Sequence, residues 1–247
     1  MAATHGKNTG VVVNENDLSA FFNEADISGE AEIIDVTTFT NQSKRYIVGY
    51  RDGKVSLKGL FGSKDPLVSS DPKETDDVLR PILGDDTIAQ NVLIAIEGLS
   101  VFGNSVSFFL AKQSKYSVTS PYNGVVSVMS DLTADRGISV GPLLLTKQAR
   151  TVAGSSPAYD MGAATTKGFI AQINTLAVGA TTSANIIIED SADGATGWAT
   201  IGSFTAASIA GAERIETNGA VRRYVRASWT FTGANGATFV VSFALQK

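Results

Sequence analysis

The chain has 247 residues, 43% hydrophobic and only 18% charged, with a formal net charge of −4. That length holds one large domain or two smaller ones, the acidic balance argues against a free nucleic-acid binder, and a charge-poor surface is one that meets other protein. The lack of cysteine excludes disulfides, thiolate nucleophiles and zinc–thiolate sites, and the one histidine, His5, cannot build a multi-histidine metal site.

The N-terminus has no apolar core of a secretory signal, and no apolar run approaches the roughly 20 residues that span a bilayer, so folding in a cytoplasm is expected. Strand patterns come first, at residues 10–13, 18–22 and 31–37. After a long polar stretch, residues 54–61 alternate strictly, with Val55, Leu57 and Phe61 against Lys54, Ser56 and Lys58. One helix is signalled next. Asp71 can cap it, Pro72 suits its first position, and Glu74 closes a capping box. Val78, Leu79, Ile82 and Leu83 then share a face, and Gly84 can end it, although Pro81 predicts a kink or an early stop near Arg80. Further strands are expected at 91–96, 105–111, 115–119 and 125–130.

Composition shifts near Lys147. Residues 148–158 read as a linker, and alanine, threonine, serine and glycine dominate beyond it. Strands are expected at 169–178, 184–190, 199–204, 212–216, 224–232 and 238–245, a spacing that points to a sandwich. The last two alternate most clearly, and Gly233-Ala234-Asn235-Gly236 between them carries the Asn-Gly signal of a hairpin. The expected fold class is mostly β: a β-sandwich with one flanking α-helix over 1–147, a linker over 148–158, and a second all-β sandwich domain over 159–247.

No catalytic, cofactor-binding or metal-ligating residue is expected. Asp76-Asp77 lies in the first turns of the helix and Asp85-Asp86 in a turn just past it. The run Glu189 to Gly194 lacks EF-hand ligand spacing, and Asp193-Gly194 reads as a turn. No glycine-rich stretch leads into a helix as a nucleotide cradle, and a Ser-His-acid triad would have to recruit His5. Lys44-Arg45 and Arg222-Arg223, with Arg226 nearby, suit a strand edge or a protein contact better than a nucleic-acid patch. Residues 37–51 are long for a hairpin loop, and Phe39, Asn41, Lys44, Arg45, Tyr46, Tyr50 and Arg51 are the candidate inter-subunit contacts within them.

Taken as a series, Ile34-Asp35-Val36-Thr37-Thr38-Phe39, then Ser43-Lys44-Arg45-Tyr46-Ile47-Val48-Gly49-Tyr50-Arg51-Asp52-Gly53-Lys54-Val55-Ser56-Leu57-Lys58-Gly59-Leu60-Phe61, resembles the major tail tube proteins of long, non-contractile-tailed phages. The resemblance runs from Val11 to Leu145, and residues 159–247 resemble the extra sandwich that some of these phages append, expected on the outside of the tube. It implies a subunit that closes with its own copies into stacked hexameric rings in a virion tail, assembled in the host cytoplasm. The implied partners are further copies of the chain, a tape-measure protein and other tail proteins, and double-stranded DNA passing an acidic lumen without specific binding. Lys54 and Lys58 are then expected either to pair with carboxylates or to face away from that lumen. Two other readings stand beside it: a carbohydrate-binding or adhesion module, with Tyr159, Trp198 and Tyr224 as sugar-stacking candidates, or another virion part such as a distal tail or head decoration protein.

Overall fold

The computed structural model describes residues 6–40, 42–64, 72–87, 89–180 and 182–246. His5, Asn41 and Asp71 lie outside the described residues. The strands are β1 (Gly10–Val13), β2 (Asn16–Asp17), β3 (Phe22–Asp35), β4 (Tyr46–Leu60), β5 (Gln90–Ala95), β6 (Ser105–Thr119), β7 (Ser127–Arg150), β8 (Gly154–Ser155), β9 (Tyr159–Asp160), β10 (Phe169–Val178), β11 (Ser183–Ser191), β12 (Ala199–Ser203), β13 (Gly211–Thr217), β14 (Tyr224–Thr232) and β15 (Ala237–Leu245), with one α-helix, α1 (Thr75–Leu79), between β4 and β5. The fold is therefore mostly β, and its strand ladders are antiparallel.

The chain forms two compact units. The first gathers Met1–Ala20, Asn91–Phe108 and Ser139–Lys247, and the second gathers Phe21–Gln90 and Phe109–Ile138. This differs from the division expected at Lys147. Gln148 to Arg150 are the end of β7 and pair with Phe239 to Ala237 of β15, so the expected linker begins inside a ladder.

In the first unit, β10 is paired on one side by β13 and on the other by β15, which in turn pairs β7. A second sheet has β11 and β14 at its centre, flanked by β12, β8 and β9. Phe169, Phe239 and Phe243 from the first sheet meet Ile186, Ile188 and Val225 from the second in one core, where Phe169 and Phe243 stack at 5.1 Å. The other face of β15 contributes Val240 and Ala244 to a second core with Val12, Leu93, Phe108 and Leu143. A strand buried on both faces reads as a continuous apolar run. The amide nitrogens of that second face are hydrogen-bonded locally: Gln172 Nε2 donates to the Val92 carbonyl at 3.2 Å, and Asn174 Nδ2 to the Asn14 carbonyl at 2.7 Å, while Gln172 Oε1 is buried without a partner.

The hairpin expected between the last two strands does not form. β14 pairs with β11 and β15 with β10 and β7, so residues 233–236 cross from one sheet to the other. The alternating apolar faces that suggest a pair instead meet across the core, with Phe239 6.3 Å from Trp229 and 6.5 Å from Phe231. The Asn235 N–H donates to Thr182 Oγ1 at 3.0 Å and its Nδ2 to the Ala180 carbonyl at 2.6 Å, which anchors the crossing. Gly236 adopts a φ of 70°, and a Cβ there would lie 2.1 Å from the Arg150 carbonyl oxygen. Gly236→Ala is expected to cost at least about 1 kcal/mol, read as a lowered midpoint in urea denaturation.

Asp17 ties the short β2 to β7. Lys147 Nζ donates to its Oδ2, and the Ser19 hydroxyl and N–H donate to its Oδ1. Burial pushes the Asp17 carboxyl up, but these bonds outweigh it and hold the group below the ordinary 3.8. A depressed folded pKa gives stability that is complete above the unfolded value and lost as pH falls through the folded one. Stability in chemical denaturation is therefore expected to decline as pH falls below 3.8. In Asp17→Asn that component of the decline is missing, and the variant is less stable at neutral pH by about 1 kcal/mol, because the lysine is half exposed and screened.

In the second unit, β3 pairs β4 from Phe22↔Gly59 to Asp35↔Tyr46, and β4 pairs β7 from Leu60↔Ser127 to Lys54↔Thr133. Ala25, Ile27, Val55, Leu57, Val128 and Leu132 alternate onto the covered face. The helix is shorter than expected and begins later. Glu74 is its N-cap, in place of Asp71, and the Glu74 N–H is met by Asp77 Oδ2 at 3.1 Å, the reciprocal half of a capping box. Pro81 follows the last helical turn, so the helix takes the early stop near Arg80.

Candidate self-assembly surface

The β3–β4 hairpin outruns its sheet. β7 accompanies β4 only as far as Lys54, and among the described residues Gly29 to Asp35 pair solely with the Tyr46–Gly53 portion of β4. Residues 28–40 and 42–48 are all exposed, so both faces of this ribbon are uncovered. An isolated two-stranded ribbon is marginal in water. This one is also apolar on both sides: Ile33 lies opposite Val48 on one face, and Ile34 opposite Ile47 on the other. Their exposures run from 39% to 59%, and Phe39 at the turn is fully exposed. Exposed apolar patches are characteristic of interaction sites, which makes this ribbon a candidate.

The turn is prepared locally. The Thr37 N–H and hydroxyl donate to Asp35 Oδ1 at 2.9 and 2.5 Å, the Arg45 N–H donates to Thr37 Oγ1 at 2.9 Å, and the Val36 N–H to the Arg45 carbonyl at 2.9 Å. The Thr37 bonds hold the Asp35 carboxyl below its ordinary range. Of the expected contact residues, Phe39, Lys44 and Arg45 sit in the connection and are exposed, and exposed Tyr46 starts β4. Asn41 lies outside the described residues, as do the side chains of Tyr50 and Arg51. The expected 37–51 loop is thus a shorter turn plus six residues of strand, because the β-branched Ile47 and Val48 pair with Ile34 and Ile33. Those isoleucines and Val48 were not among the expected contact residues, because in the sequence apolar β-branched residues of this kind read as core.

The other end of the sheet is also apolar and open. Leu60 of β4 lies opposite Ser127, and the Phe61 N–H donates to the Val126 carbonyl at 3.1 Å, which places the β6–β7 connection at the end of β4 away from the hairpin turn. There Leu60, Val125 and Tyr122 are exposed, Tyr122 fully.

Between these ends lies an acidic face. Register puts Glu24, Asp26 and Glu30 of β3, Asp52 of β4, and Asp131 with Asp135 of β7 on the side opposite the covered residues, together with Lys54 and Lys58. Ser56 Oγ donates to Asp131 Oδ1 at 2.8 Å across this face. Both lysines are paired: Lys58 Nζ donates to Glu24 Oε1 at 2.5 Å, which raises its pKa, and Lys54 Nζ lies 3.7 Å from Asp52 Oδ2. Glu30 stands directly opposite Asp52, a like-charge pair that sheets avoid. Six carboxylates against two lysines make this face strongly negative.

The remaining candidates resolve into structural roles. Arg222 pairs with Asp190, Arg223 with Asp160, and Arg226 with Glu189, at 2.6 to 2.8 Å, so the basic cluster is neutralised within the chain. The Arg223 pairing holds Asp160 down at about 2. One face of Trp198 is covered by Arg226 at 4.1 Å and one face of Tyr224 by Arg223 at 5.1 Å, while Tyr159 packs edge-on against Phe102 at 6.0 Å. One ring face of Trp198 and one of Tyr224 are thus occupied within the chain. Asp193 accepts from the N–H groups of Ala195 and Thr196 and from the Thr196 hydroxyl at 2.7 to 2.9 Å, which fixes a turn and pulls its pKa well down. Among the described residues no group of three or more acidic, histidine or cysteine side chains is placed to hold a metal ion, and no helix is long and apolar enough to cross a membrane.

No family model matches the chain, and no curated protein matches it. Solved structures that resemble part of the chain include two from gene transfer agent particles. A chain in the virion of a native gene transfer agent particle is 21% identical over 56% of this chain and 98% of its own, with a TM-score of 0.44. A chain in the tail of an empty gene transfer agent particle, obtained with helical refinement in C6 symmetry, is 19% identical over 56% and 98%, with a TM-score of 0.41.

Proposed function

We propose that this protein is a structural subunit of a phage tail tube, polymerising as stacked hexameric rings around a channel through which double-stranded DNA is ejected. The observation that carries the reading is the apolar ribbon of β3 and β4, uncovered on both faces. A surface of that kind is covered by neighbours on either side. β3 adds a second reason. It pairs only with β4 among the described strands, so its fourteen residues offer a long, proline-free edge. Such an edge aggregates unless a neighbouring strand is meant to take it. Handing the edge to an adjacent copy closes a ring. The hairpin turn and the β6–β7 connection, apolar and at opposite ends of one sheet, suit a head-to-tail contact between rings, which propagates without closing.

The acidic face has the character a DNA conduit needs, since phosphates slide past carboxylates and stick to uncompensated lysines. The tape-measure protein and other tail proteins are the expected further partners, and the sequence series from Ile34 to Phe61 supports the same reading. Sedimentation velocity of the full chain over rising concentration tests it. Growth to large open-ended species is expected, and a monomer at every concentration counts against it.

A further inference from the structure

In the first unit the end of β7, the segment leading to β8, and Trp229 line an open pocket of about 370 Å³. Its lining joins Phe102, Leu144 and Pro157 with the hydroxyls of Thr151 and Ser155, and with Arg150. No acidic side chain takes part among the described residues. Arg150 is held rigidly. Its guanidinium lies against both the Trp229 and the Phe239 rings, 5.0 and 4.9 Å from their centroids. Its Nη1 donates to the carbonyls of Gln148 and Phe239 at 2.9 and 3.2 Å, and its Nη2 to that of Thr146 at 2.9 Å. These carbonyls border the irregular register of β7 against β15, which explains why an arginine stands here. They engage three of the five guanidinium N–H groups and leave Nε–H and one Nη2–H. Burial alone lowers the pKa of Arg150. The Trp229 wall is fixed as well, because its Nε1–H donates to the Val152 carbonyl at 2.8 Å.

We propose that this pocket binds a small apolar carboxylate, the acid group taking Nε–H and Nη2–H of Arg150 and the body resting on Phe102 and Leu144. A half-buried cation with no counter-charge is costly, and an anion beside it removes that cost. The planar fork matches a carboxylate edge, and a guanidinium already immobilised loses little further freedom on binding. The volume suits a small molecule, and the mixed apolar and hydroxyl lining favours an organic acid over a bare inorganic anion.

Isothermal titration of the full-length protein with benzoate and with benzamide tests the assignment, with tryptophan fluorescence followed in parallel. Benzoate is expected to bind at least about tenfold more tightly than benzamide, the ratio set by one charge-assisted hydrogen bond. Ala153→Phe, at an exposed position of the lining, fills the pocket and leaves the bonds of Arg150 in place. It is expected to abolish benzoate binding with Tm unchanged. Absence of benzoate binding, equal binding of the two probes, or benzoate binding that survives Ala153→Phe overturns the assignment.

Discussion

Placing aspartate at Ile33, Phe39 and Val48 together is expected to leave the subunit folded and to prevent its assembly. These side chains are 59%, 111% and 58% exposed, so the folded subunit gains little from them. Exposed substitutions of this kind change stability by only about 0.5 kcal/mol each. In an assembly that covers both faces of the ribbon, each large apolar group contributes roughly 1.5–3 kcal/mol, and a carboxylate in its place must be desolvated as well. A loss of that size at each position raises the assembly threshold by about a factor of ten or more per residue. Sedimentation velocity reports assembly and urea denaturation reports the fold. Normal polymer from a normally folded triple variant contradicts the assigned role of the ribbon.

Ending the chain after Lys147 is expected to abolish folding of the first unit. The cut removes β10 and β15, and with them Val240 and Ala244 from the core that holds Val12, Leu93, Phe108 and Leu143. It also removes every member of the other core except Leu144 and Leu145. Losing a single large core side chain costs about 2–5 kcal/mol against a total stability of about 5–15 kcal/mol, so stripping two strands exceeds the whole margin. Within the intact chain, Phe239→Ala alone is expected to cost about 3–5 kcal/mol. Circular dichroism and amide exchange on the fragment decide the matter. A fragment that ends at Lys147 and protects β1 and β5 as the full chain does would show that the first unit needs neither β10 nor β15.

Some strands were legible from their apolar runs: residues 169–178 and 224–232 match β10 and β14 at both ends, β10 buried along both faces and β14 alternating with Val225 and Ala227 in a core. Pairing was not legible in the same way. Asn235-Gly236 has the chemistry of a hairpin turn, yet Phe239 is drawn across the core to Trp229, and burial of three aromatic rings outweighs the local signal. The expected strand at 18–22 failed because Leu18 is buried singly, between β2 and a turn fixed by Asp17 and Ser19. The helix cap lies three residues later than expected, at Glu74, where Asp77 reaches the Glu74 N–H. The contact loop was half legible. Its turn residues stood out by composition, whereas Ile33, Ile34, Ile47 and Val48 look like core residues until the ladder shows that the pairing of β4 with β7 ends at Lys54. The acidic face was not legible at all, since it is assembled from three strands whose register no local pattern reports.

Electron microscopy of concentrated full-length protein, carried to side-chain resolution, tests the central claim most directly. The expected result is a hollow tube of stacked six-fold rings, with the β3–β4 ribbon of each subunit covered by neighbouring subunits and the channel lined by the face that carries Glu24, Asp26 and Asp131. Closed, unstacked oligomers, or a tube whose channel is lined by a different face while the ribbon stays uncovered, would contradict it.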